Sequence, residues 1–133
     1  MQTIYKNKEY IIAVIIALVG FAYFYFRSNF KALVVSGSSL SIEAARIKSE
    51  QLYTAMSDFG TNENLIVQIL RTLSVADFKM VYNAFGSKPY LWFGSAPSWL
   101  GQSYDLVAWL DQELSDSYPD IKTMIRSAGF SYK

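Results

Sequence analysis

The sequence predicts an all-α protein in which an N-terminal single transmembrane helix carries a compact domain of five short helices. Three observations predict it. An uncharged apolar run extends from Tyr10 to Phe26. Five later segments place apolar residues at helical spacing, most of them behind a capping residue. No stretch shows the two-residue alternation of a strand.

The apolar run holds Tyr10, Ile11, Ile12, Val14, Ile15, Ile16, Leu18, Val19 and Phe21, and closes on Tyr23, Phe24, Tyr25 and Phe26, aromatics suited to a membrane interface. At ~1.5 Å per residue it covers roughly 25 Å, near the lower limit for a span. Lys6 and Lys8 precede it and Arg27 and Lys31 follow it, so the cations give no bias of orientation. A cleaved signal peptide is the rival reading. No A-x-A site follows the run and four aromatics close it, so the expectation is a retained anchor.

Residues 1–35 are therefore expected to form the flank and anchor, 36–41 a flexible Ser/Gly linker, and 42–133 the helical domain. Ser39 or Ser41 caps a first helix with Ala45, Leu52, Ala55, Met56 and Phe59 near one face, ending at Gly60. Thr61 is expected to cap a second, striped by Leu65, Ile66, Ile69, Leu70 and Leu73. Ser74 and Asp77 form a capping box for a third, with Phe78, Val81, Tyr82 and Phe85 inward and Gly86 as its stop. Pro89, Gly94, Pro97 and Gly101 interrupt Tyr90, Trp92, Phe93 and Trp99, which predicts an ordered aromatic loop over Ser87–Tyr104. A fourth helix over Asp105–Leu114 and a fifth from Pro119 to about Gly129 complete the domain.

Composition excludes much chemistry. The chain has no Cys and no His, which removes thiol nucleophiles, imidazole bases, disulfides and the usual zinc spheres. The formal net charge of +1 supplies no field to gather nucleic acid, so neither nucleic acid nor a small-molecule substrate is expected as a partner.

The segment from Ala55 to Glu63 resembles the loop between the first two helices of the annexin repeat, and Asp105-Leu106 through Glu113-Leu114-Ser115 is similar to that repeat's fourth-helix signature. The likeness runs over most of Glu43–Tyr132. It implies an annexin-like five-helix fold and a candidate calcium site formed by Met56, Asp58, Gly60 and Glu113, with oxygen ligands of the kind calcium takes. Three features depart from the family. Asp58 stands where annexins usually have glycine, Ser87–Tyr104 is longer than the family's link, and one repeat stands where annexins join four.

The reading that gathers these features is a membrane-anchored structural or assembly protein and not an enzyme. Its expected setting is the virion internal membrane of a lipid-containing bacteriophage, linking membrane to protein shell, or else a bacterial inner membrane. Expected partners are a lipid bilayer and other protein chains, with Tyr90, Trp92, Phe93 and Trp99 as contact residues. No cofactor is expected beyond candidate calcium. The alternatives are a calcium- or lipid-binding module and, at lower rank, a carboxylate hydrolase built on Asp58, Glu63 and Glu113.

Overall fold

The computed structural model describes residues 2–25, 30–57, 60–90 and 102–133, and in the first helix the side chains of residues 7–21. The described elements are α1 Gln2–Tyr25, α2 Ile42–Ser57, α3 Glu63–Arg71, α4 Val75–Phe85, β1 Ser87–Tyr90, β2 Gln102–Asp105, α5 Leu106–Glu113 and α6 Pro119–Ser127.

Two expectations are corrected here. The first is the anchor: among the described residues no helix is long and apolar enough to cross a membrane. Lys6, Lys8 and Glu9 lie inside α1 and confine its uncharged part to Tyr10–Tyr25. That part covers only about 24 Å, against the ~30 Å of a hydrocarbon core. Placement in a phage or bacterial membrane falls with the span on which it rested.

The second correction concerns the all-α class. β1 and β2 pair antiparallel, with Ser87 opposite Asp105, Lys88 opposite Tyr104, Pro89 opposite Ser103 and Tyr90 opposite Gln102. Four residues are too few for alternation to register, and Pro89 reads as a loop signal. In a two-stranded ribbon each strand has one unpaired side, so a proline that cannot donate is tolerated there.

The other local signals hold with small shifts. Ser74 and Asp77 form the capping box of α4, and Gly86 stops that helix at φ 63°. Asn62, not Thr61, caps α3, its side chain accepting from the Leu65 N–H. Asp105 caps α5 through the Ala108 N–H, 2.8 Å. Beyond α6 the chain turns at Gly129, φ 101°, a left-handed position that favours glycine.

The core lies between α2 and α4, closed by α3, α5 and α6. Leu52, Ile66, Leu70, Phe78, Val81, Leu106, Leu110, Ile121 and Ile125 are wholly buried there. Met56 and Phe85 also face inward, as their spacing predicts. Trp109 is the aromatic centre of one end. Its ring meets Tyr90 edge-on at 4.7 Å, Tyr53 at 5.6 Å and Phe85 at 6.5 Å, while its Nε1–H donates to the Lys88 carbonyl at 3.2 Å. Helix α5 and the ribbon are joined by that side chain.

The expected flexible linker is instead a strap laid along α4. Phe30 sits 5.3 Å from the Tyr82 ring, which continues to Phe130 at 4.8 Å. Leu33 is held at both backbone groups by one side chain: its N–H donates to Asn83 Oδ1 at 2.7 Å and its carbonyl accepts from Asn83 Nδ2 at 2.8 Å. Ser38 and Ser39 then reach Asp77.

Candidate functional site

Three features are able to do something beyond holding the core: a carboxylate clasp at Glu113, the strap along α4, and the exposed helix α1.

The clasp joins three segments distant in sequence. Glu113, the last residue of α5, accepts from the Thr61 hydroxyl through one oxygen and from the Tyr90 hydroxyl, 2.9 Å, through the other. Burial and this hydrogen bond push the Tyr90 phenol up to about 12, so it is a neutral donor at any ordinary pH. Tyr90 also stacks on Tyr104 at 5.1 Å. Glu63 accepts from the Ser115 N–H, and hydrogen bonding from the Ser115 hydroxyl and then its N–H holds the carboxyl below the usual range. The α2–α3 loop, the ribbon and the end of α5 are thus pinned by two carboxylates.

Of the residues expected at a calcium site, the fold brings Gly60 and Glu113 toward each other through Thr61. Gly60 has φ 85°, a conformation that glycine adopts without strain. Met56, next to last in α2, is 3 % exposed in the core, and Asp58 lies outside the described residues. Both Glu113 oxygens are occupied by hydroxyl donors, and among the described residues no group of three or more acidic, His or Cys side chains converges. The two bonds make Glu113 a clasp that ties the α2–α3 loop to the ribbon.

Of the expected contact residues, Tyr90 is turned inward to Glu113, Tyr104 and Trp109. Trp92, Phe93 and Trp99 lie outside the described residues. Trp109, Tyr104 and Asn83 are the residues that sequence reasoning passed over. Trp109 carried a signal, since it lies three residues after Leu106 and so on the same helical face. Asn83 carried none.

The strap ends on a buried carboxylate. Asp77 is 5 % exposed and accepts from the Ser38 hydroxyl at 2.8 Å, the Ser39 N–H at 2.8 Å, the Ser39 hydroxyl at 3.0 Å and the Ser74 N–H at 3.4 Å. Burial pushes its carboxyl up, but these donors outweigh burial and bring it down to about 2. Beside the strap an open groove of about 350 Å³ is lined by Phe30, Lys31, Leu33, Tyr82, Ser103 and Asp105. The Tyr82 hydroxyl donates to Asp105 Oδ2 at 3.0 Å across its floor, and burial together with that bond raises the phenol.

Among the described residues, helix α1 carries the longest run of exposed large apolar side chains. Tyr10, Ile11, Ile12, Val14, Ile15, Ile16, Leu18 and Val19 are each between 52 % and 74 % exposed, and Phe21 is 68 % exposed. Tyr23, Phe24, Tyr25 and Phe26, expected to share this surface, have no described side chains.

No known protein-family model matches the chain, and neither a characterised protein nor a solved structure matches it. The phage and virion setting expected from the sequence therefore has nothing to stand on and is withdrawn.

Proposed function

We propose that this chain is a structural protein that works by contact with other protein chains, with an annexin-like five-helix head and α1 as the contact element. One observation carries the reading: a helix that is aliphatic on most of its circumference and exposed along its middle. A helix of that kind is stable only when something covers it.

Catalysis has less support. The helix-end carboxylates that an acid–base mechanism would use are engaged in holding the fold: Asp77 in the strap, Asp105 in the cap of α5, Glu63 on Ser115 and Glu113 on Thr61 and Tyr90. A calcium-dependent module has less support because among the described residues no group of three or more acidic side chains converges. The helix order and the approach of Glu113 to the α2–α3 loop support the annexin-like reading of the head.

The test uses the absence of native cysteine. In the full chain carrying Ile15→Cys, the thiol is expected to be protected from a water-soluble maleimide in a gently prepared extract of the producing cells. A control at exposed Ser36, Ser36→Cys, is expected to react freely. Equal reactivity at the two positions would show that α1 stays uncovered and would defeat the reading.

A further inference from the structure

We propose that α1 is covered by α1 of further copies of this chain, in a parallel bundle of three or more; the inference rests on the reading of α1 as the contact element. The first argument is area. Eight side chains from Tyr10 to Val19 are more than half exposed. At about 100 Å² each they leave ~800 Å² of largely apolar surface in water, more than the ~300–600 Å² patch of a typical monomer and close to the ~800 Å² that a standard interface takes from each partner.

The second argument is angular. At roughly 100° per residue, the large side chains from Tyr10 to Val19 sweep an arc of roughly 240°, and Ala13, Ala17 and Gly20 occupy the remainder. One neighbouring helix covers a stripe of about 100°, so a pair of copies would leave most of the arc wet, whereas two flanking neighbours cover it. Side-chain shape agrees. Ile12, Ile15 and Val19 form one i, i+3, i+7 seam and Ile11, Ile15 and Leu18 the adjoining one. The first seam is β-branched at both of its positions, which favours three or four strands over two, while Leu18 makes the second mixed.

The third argument concerns identity and direction. Between Tyr10 and Val19 only the Tyr10 phenol is polar, so the stripe asks nothing of a partner that its own copy does not supply. Lys8 and Glu9, both exposed, stand just before the stripe with opposite charges. In a parallel ring they lie at one level, and each Lys8 meets a neighbour's Glu9. In an antiparallel arrangement they lie at opposite ends of the stripe.

Sedimentation equilibrium of the purified full chain at micromolar concentration tests this. The expected mass is three or four times the 15.1 kDa monomer, falling to the monomer in Ile12→Lys/Ile15→Lys with the circular dichroism of the head unchanged. Ile15→Cys is expected to give disulfide-linked chains on mild oxidation. If the double variant misfolds, Ile15→Ala replaces it and is expected to weaken association at least tenfold. A monomeric wild-type chain overturns the proposal, as does an oligomer that survives both variants, since the head would then be the interface. Monomers that float with phosphatidylcholine vesicles also overturn it, because lipid would be the cover. A thiol protected in the cell extract while the purified chain is monomeric defeats only the self-bundle. A thiol free in both defeats the contact reading as well.

Discussion

Ser39 places both of its donors, the backbone N–H at 2.8 Å and the hydroxyl at 3.0 Å, on the carboxylate of Asp77, thirty-eight residues further along the chain. Asp77 is also the third residue of α4 and returns a bond to the Ser74 N–H. A local capping device has thereby become the anchor of a long-range strap. Asp77→Asn replaces an acceptor-only group by one that also carries donors, against a set of partners that all donate. Loss of about 1–3 kcal/mol is expected, read by urea denaturation. Ser39→Ala, which leaves the backbone bond in place, should cost less.

The same carboxylate sets an acid limit. Its folded pKa, about 2, lies below the unfolded value near 3.8, so its contribution is present in full above about pH 4 and is lost as pH falls toward 2. Thermal melts between pH 5 and pH 2 should show a fall in this window that is smaller in Asp77→Asn. Equal falls in both proteins would assign the acid sensitivity to other carboxylates.

Leu33 and Asn83 make the second attachment of the strap. Both bonds run between one side-chain amide and one backbone residue, at 2.7 and 2.8 Å, so Asn83 has no isosteric substitute. Asn83→Ala is expected to raise the exchange rate of the Leu33 amide at least tenfold and to cost about 1–2 kcal/mol. Unchanged exchange would show that Phe30, Leu40 and the Asp77 bonds seat the strap without Asn83.

What could be read from the sequence was local. Ser74 with Asp77, Gly86, the spacing of Phe78, Val81 and Phe85, and Pro119 at the start of α6 are one-turn patterns, and each marks its element correctly. What failed was long-range. The ribbon exists because Ser87–Tyr90 finds Gln102–Asp105 across an intervening segment, and Trp109 packs on the result. The strap looks like a linker because Ser36-Gly37-Ser38-Ser39 has linker composition, and only the fold brings Asp77 to it. At the candidate site the identity of Glu113 was legible. Its partners were not, because Tyr90 was assigned to a loop and Thr61 to a cap.

Calcium separates a clasp from a metal ligand at Glu113. Added calcium is expected to leave the melting temperature of the wild-type chain essentially unchanged, since among the described residues no group of three or more acidic side chains converges there to hold an ion. Glu113→Gln should destabilise with or without calcium, by about 1–2 kcal/mol, because the amide offers one acceptor where two are used. Micromolar calcium binding by calorimetry, lost in Glu113→Gln, would reverse the assignment.

The last prediction concerns where the head begins. The helical pattern alone starts it at Ile42, but Phe30, Leu33 and Leu40 pack against the core, and the strap adds two bonds at Asn83 and three at Asp77. Cutting at residue 42 removes that apolar cover and strips the buried Asp77 of its strap donors, leaving the Ser74 N–H and water to satisfy it. Three half-buried side chains contribute roughly 1 kcal/mol each, and the lost bonds a comparable amount. Residues 30–133 should therefore be more stable than 42–133 by about 5–7 kcal/mol, a large part of the ~5–15 kcal/mol available to a domain of this size. Urea titrations of the two fragments, followed by far-ultraviolet circular dichroism, measure the difference. Coincident midpoints would mean that the strap rests on a head already complete. A random-coil spectrum for 42–133 beside a helical one for 30–133 would mean that the strap is the sixth piece of the core.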